Sequence, residues 1–272
     1  MSSKARCHPV ALESPARIKH NYTIWDLDDI IRANRVGEPG WREEEFRHGA
    51  MKAEKLERDR AAKLTFFDTK KNDCGSVLLA SGFDRVTPEG GRLDWAVIEV
   101  DPSRVGENRL PTEEAWEAKY GGWNAPYART FGGLLQQPSG SFKDKIMAVG
   151  ASVWKVGATS GPTNGTFNKY KVKCTIKDHV HVADTPRCYS KEFVVIGNEI
   201  SSQGQSGRLC GPGDSGSVVF DARGQAIGLL FGGQVPSQTA GYGLVTPIKD
   251  VFEDIKACSE GQIEDIRIAT CS

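Results

Sequence analysis

Gly211-Pro212-Gly213-Asp214-Ser215-Gly216-Ser217, running directly into Val218-Val219-Phe220, is the stretch on which the reading of this chain turns. Glycines bracket one serine just before an apolar strand. Gly213 and Gly216 tolerate backbone angles closed to other residues. The chain can therefore turn sharply and aim the N–H groups of Gly213 and Ser215 at one point, where an oxyanion would sit. The same residues also suit an ordinary hairpin turn of Gly, Asp and Ser. Downstream, Ala226-Ile227-Gly228-Leu229-Leu230-Phe231-Gly232-Gly233 reads as a second buried strand. Gly241-Tyr242-Gly243-Leu244-Val245-Thr246-Pro247-Ile248 reads as a third that enters a terminal helix. The order is nucleophile turn, strand, strand, strand, helix.

Two upstream segments extend the pattern. Leu93-Asp94-Trp95-Ala96-Val97-Ile98-Glu99-Val100 places one acid at the opening of a β-type strand; alone, it reads as a surface aspartate at a strand entry. Val153-Trp154-Lys155-Val156-Gly157-Ala158-Thr159-Ser160-Gly161-Pro162-Thr163-Asn164-Gly165-Thr166 reads as strand, turn, strand, with glycines and threonines that suit a β corner whatever the function.

With these three segments in this order, covering roughly residues 75 to 256, the chain resembles the trypsin/chymotrypsin-like (S1-type, PA clan) serine peptidases, specifically their divergent fungal members. The resemblance implies a mainly β fold of two six-stranded antiparallel barrels. Ser215 would be the nucleophile, the N–H groups of Gly213 and Ser215 the oxyanion hole, and Asp94 the acid that orients the catalytic histidine. It also places the determinant of substrate choice six residues before the serine, on Leu209, with Leu230, Phe231, Gly232 and Gly233 as the opposite wall. Leucine there implies an apolar residue on the acyl side of the scissile bond, while the adjacent Arg208 would invite an acidic one.

The base is the least determined member. The histidines are His8, His20, His48, His179 and His181, and the family order of His, Asp, Ser demotes the last two. His179 and His181 alternate on a strand-like stretch from Lys177 to Val182, without companions for a metal site. His48 lies 46 residues before Asp94 (94 − 48). Its surroundings, Trp41 to Phe67, are dense in Arg, Glu, Lys and Ala with Glu43/Arg47 and Glu54/Arg58 at helical spacing, so it reads as a residue on a long solvated helix. His8, in Arg6-Cys7-His8-Pro9-Val10, lays on the family's histidine turn with histidine and valine in register, and is taken as the base. His20 has no motif. A charged helical insertion of the kind fungal members carry would account for the 86 residues from His8 to Asp94 (94 − 8). Only seven residues precede His8, where relatives have strands, which implies an incomplete first barrel or a sequence truncated at its amino terminus.

Composition agrees with a folded globular chain: 272 residues, 39% hydrophobic, 35 basic against 35 acidic residues. A formal charge of zero gives no electrostatic case for nucleic acid or membrane. Thirty glycines and many short β-branched runs favour strands, with helices over Asp26–Val36, Trp41–Phe67 and Pro247–Ala257. The expected organisation is one domain, with 1–74 as amino-terminal region and insertion, 75–140 as the rest of the first barrel, and 141–272 as the second barrel and tail.

Seven cysteines leave at least one unpaired; Cys174 with Cys188 across a hairpin and Cys258 with Cys271 at the tail are candidate bridges, but spacing does not fix the connectivity. The start Met-Ser-Ser-Lys-Ala-Arg lacks the apolar stretch of a signal peptide, and no run of 18 apolar residues occurs, which favours an intracellular location. The sequons Asn21-Tyr22-Thr23 and Asn164-Gly165-Thr166 matter only on a secretory route.

The expected activity is a serine endopeptidase acting on protein or peptide without cofactor or metal. The rival is a catalytically impaired relative that keeps the fold as a protein-binding module. A cytosolic esterase fits less well, since strands and helices do not alternate as in α/β-hydrolases. Oligomeric state is not legible.

Overall fold

The structure, a computed structural model, describes residues 10–14, 16–37, 40–82, 85–106, 110, 137–144, 148–175, 189–198, 209–234 and 241–270. The described chain divides into two compact units, Met1–Leu78 with Ile98–Val105, and Leu79–Val97 with Gly106–Ser272.

The first unit is built on a helical hairpin. Strand β1 (Ala11–Glu13) leads to helix α1 (Arg17–Val36) and helix α2 (Glu43–Asp68). Helix α1 buries His20 and Ile31, and α2 buries Gly49, Ala53 and Phe67. The helices approach so closely at Gly49 that a Cβ there would stand 2.6 Å from the Asn34 carbonyl oxygen. Gly37 ends α1 with φ +72° and returns its N–H to the Ala33 carbonyl. Helix α2 opens on Glu43, Glu44 and Glu45, whose charges suit the helix dipole, and Glu45 accepts the Arg42 N–H at 2.6 Å. Arg60 with Asp28 and Arg35 with Glu57 pair across the hairpin, both at 2.5 Å. The expected helix over Trp41–Phe67 is thus present, and the expected helix over Asp26–Val36 begins earlier, at Arg17.

Strands β2 (Asp73–Ala80) and β3 (Ala96–Val100) join β1 in a three-stranded sheet of order β1-β2-β3, and a short 3₁₀ turn, Pro102–Arg104, follows. β1 and β2 are antiparallel, with Ala11 opposite Ser76 and a bulge between Leu12 and Glu13. Among the described residues this sheet does not close into a barrel.

The second unit contains a closed antiparallel barrel in the order β4-β5-β6-β9-β8-β7. Its strands are β4 (Ser152–Gly157), β5 (Gly161–Thr175), β6 (Tyr189–Gly197), β7 (Val218–Asp221), β8 (Ala226–Gln234) and β9 (Tyr242–Pro247). β4 pairs with both β5 and β7, so the ring has no open edge. Alternate residues point inward, and Val153, Phe167, Val195, Val219, Leu230 and Val245 fill the interior. Fully burying side chains of this kind contributes about 1.5–3 kcal/mol each.

Helix α3 (Ile248–Cys258) follows β9 and sets Val251 and Ile255 against Leu93 and Trp95. Asp254 of this helix accepts the Trp95 indole N–H at 2.9 Å and both arms of the Arg85 guanidinium. The chain is therefore mainly β with a terminal helix, as expected. Cys74, Cys174 and Cys258 are free thiols, so neither candidate bridge forms: Cys258 turns its thiol toward Asp254 on its own helix, 3.9 Å away. Their expected partners Cys188 and Cys271, and the Lys177–Val182 stretch with His179 and His181, lie outside the described residues. Among the described residues no helix is long and apolar enough to cross a membrane.

Candidate active site

Ser215 lies in the turn that enters β7, exposed, with its hydroxyl donating to the Phe231 carbonyl on β8 at 2.9 Å. The turn depends on its glycines. Gly213 has φ +92° and Gly216 φ +89°, and a Cβ on Gly213 would stand 2.9 Å from the Thr159 hydroxyl. The N–H groups of Asp214, Gly216 and Ser217 are engaged by the carbonyls of Gly211, Leu230 and Asp214. Those of Gly213 and Ser215 have no acceptor among the described residues. Two unengaged backbone donors thus flank an exposed hydroxyl.

Asp214 anchors the turn from below. Its carboxylate is fully buried and accepts the N–H groups of Thr159, Ser160 and Gly211, the Ser160 hydroxyl at 2.6 Å and the Lys155 ammonium at 3.0 Å. Burial alone would push this carboxyl up. The bonds from Ser160, Thr159 and Gly211 and the charge of Lys155 outweigh burial and hold it down at about 2. Burial also draws the Lys155 ammonium below its ordinary value, opposed by Asp214. Both side chains of this pair have zero exposure. Sequence reading placed Lys155 in its motif without a role. The available signal was a lone charge inside the apolar run Val153-Trp154-Lys155-Val156.

Beside Ser215 opens a cavity of about 600 Å³ lined by Cys210, Pro212, Gly213, Leu230, Gly233 and Gln234, among others. Three of the five expected pocket residues, Leu230, Gly232 and Gly233, line it. Leu209 does not. It is fully buried in the barrel core, where the missing side chain of Gly243 leaves room for it: a Cβ there would lie 2.6 Å from Leu209 Cδ2. The next residue, Cys210, faces the cavity in its place. Phe231 contributes the carbonyl that holds Ser215 rather than a cavity wall. Arg208 lies outside the described residues.

Asp94 is exposed between two buried residues, Leu93 and Trp95, immediately before β3. Its carboxylate faces the Arg92 guanidinium at 3.6 Å, and that guanidinium also stands over the Phe231 ring, 5.9 Å from its centroid. The Arg92 backbone N–H is fixed by the buried Glu192 carboxylate at 2.8 Å. Burial raises the Glu192 carboxyl above its ordinary value, although hydrogen bonds from Ser190 and the Arg92 N–H oppose the shift.

His8 lies outside the described residues. His48 is exposed on α2 with its Nδ1 3.0 Å from the Glu44 carbonyl, the surface helix position expected for it. His20 is buried in the helical hairpin, stacked on Phe67.

The trypsin family model matches residues 129–255. No curated protein matches the sequence. Among solved structures, a chymotrypsin of Cellulomonas bogoriensis is 18% identical, covering 67% of this chain and 76% of that one, with a TM-score of 0.39. The Nocardiopsis protease NAPase is 17% identical, covering 66% and 76%, with a TM-score of 0.38. The inactive form of the Rv3671c serine mutant from M. tuberculosis is 17% identical over 48% of this chain, with a TM-score of 0.31. This chain spans 59% of that last protein.

Proposed function

On the premise that this chain carries a trypsin-like domain, we propose that it is a serine endopeptidase whose nucleophile is Ser215. The Ser215 oxygen attacks the scissile carbonyl, and the N–H groups of Gly213 and Ser215 receive the negative charge that develops on the carbonyl oxygen. His8 takes the hydroxyl proton and passes it to the leaving amine, so the C–N bond breaks and an acyl-enzyme remains for water to hydrolyse. Asp94 orients the imidazole and stabilises its charged form. The substrate residue on the acyl side enters the cavity beside Ser215. The observation that carries this reading is the pair of unengaged N–H donors flanking an exposed serine hydroxyl on a turn anchored by a buried carboxylate.

One observation favours the rival reading, a non-catalytic relative acting as a protein-binding module. The Asp94 carboxylate already faces a cation, Arg92, 3.6 Å away. Labelling with a fluorophosphonate, which reacts with an activated serine hydroxyl, separates the two readings. The peptidase reading expects one adduct on the intact chain, none on Ser215→Ala, and none on His8→Ala. A folded chain that resists the probe would establish the rival.

A further inference from the structure

Helices α1 and α2 leave between them a groove of about 680 Å³ with a floor of Phe66 and Phe67 and with Lys19, His20, Lys63 and Asp59 around it. The aromatic floor is ordered. His20 stacks on Phe67 with ring centroids 3.6 Å apart and planes 20° from parallel, and Phe66 meets Phe67 edge-on at 6.0 Å. The nearby guanidiniums are already engaged, Arg17 by Glu13 and Arg104 by the carbonyls of Lys71 and Ser14, and they stand near the rings, Arg17 5.4 Å from the Phe67 centroid and Arg104 5.8 Å from that of Phe66. Lys19 and Lys63 are not. Neither ammonium has a partner among the described residues, and both are exposed at the rim. His20 lines the groove, and its ring nitrogens have no hydrogen-bond partner among the described residues and are open to solvent.

Two free ammoniums against the single carboxylate of Asp59 leave the groove positive, and its floor is aromatic. From this we infer that the groove binds a small aromatic carboxylate. The ligand's ring packs against Phe66 on the groove floor. Its carboxylate lies between Lys19 and Lys63, and His20 supplies a further hydrogen bond. Charge-assisted bonds of this kind are about twice as strong as neutral ones, so the carboxylate sets the affinity and the rings set the orientation. Asp59 repels a second carboxylate, which favours monoanions. The volume lies within the usual range for small-molecule sites, about 300–1,000 Å³.

The test is isothermal titration of the full chain with 4-phenylbutyrate, with 4-phenylbutan-1-ol as the uncharged analogue. The acid is expected to saturate a single site and the alcohol to bind at least about tenfold more weakly. Lys19→Ala with Lys63→Ala, both at exposed positions, is expected to weaken the acid about tenfold or more while leaving the alcohol unchanged. Ala62→Trp, which fills the groove, is expected to remove binding of both, with helix content by circular dichroism confirming an intact hairpin. Absence of saturable binding at millimolar acid, equal binding of acid and alcohol, or binding indifferent to both variants would each overturn the inference. The last outcome would place the ligand elsewhere, for instance beside Ser215.

Discussion

Replacing Lys155 by Met removes the only charge opposite Asp214 among the described residues and leaves its methylenes nearly intact, so the change isolates electrostatics. Both partners have zero side-chain exposure, and Asp214 keeps three backbone N–H donors and the Ser160 hydroxyl after the substitution. Removing one partner of a buried pair leaves an uncompensated charge and costs about 3–5 kcal/mol. The four surviving bonds favour the lower half of that range. At about 2–4 °C per kcal/mol for a unit of this size, the barrel should melt roughly 6–16 °C earlier. Trp154, buried on β4 and stacked on Phe220, reports barrel melting by fluorescence. The second arm is the double variant Lys155→Met with Asp214→Asn, which no longer carries a buried charge and should regain most of the loss. A single variant within about 1 kcal/mol of the parent, or a double variant no better than the single, would refute the assignment of Lys155 as the counter-charge of the serine turn. Fluorophosphonate labelling of the single variant below its melting temperature should fall as well, because the turn hangs from Asp214.

Acid should unfold the barrel through Asp214. Its carboxyl is held down from 3.8 to about 2, so the stability it contributes is complete above its ordinary value and is lost as pH falls through that window. Asp214→Asn should therefore flatten the stability profile between these two pH values, measured by urea melts. Glu192 has the opposite sign. Its carboxyl is raised above 4.5, so its contribution is present below that value and lost as pH rises through the folded value. Glu192→Gln, which mimics the neutral acid and still accepts the Arg92 N–H, should be at least as stable as the parent at pH 7; a loss above about 1 kcal/mol would contradict this. Gly213→Ala should cost about 1–2 kcal/mol from its left-handed backbone, and should abolish fluorophosphonate labelling through displacement of the turn.

The carboxyl-terminal half of the molecule was legible because its signals are local. Short apolar runs punctuated by glycine became β7, β8 and β9, and an amphipathic run after Pro247 became α3. The charged helix was legible for the same reason. Helix α1 was half seen: its first turns hold Asn21, Tyr22, Thr23 and Ile24, poor helix formers alone, which take helical form where His20 and the following turns pack on α2. What the sequence concealed are choices made across the barrel. Whether Leu209 or Cys210 faces the cavity depends on the space left by Gly243, a strand away. Lys155 finds Asp214 59 positions along the chain, a distance no local pattern encodes. Ser215, Gly213 and Asp94 occupy the turn and the strand entry their motifs suggested, but the Arg92 guanidinium against Asp94 was not foreseen.

The clasp between Trp95 and Asp254 spans 159 positions and joins two elements outside the barrel ring. Trp95 follows Asp94 directly and is held at its backbone by Ser81 and at its indole by Asp254, so the heading of that acid depends in part on α3. Damage confined to α3 would therefore register at Asp94 while all six barrel strands kept their pairing. The barrel could then report a healthy melting curve from a molecule whose acid has already lost its bearing.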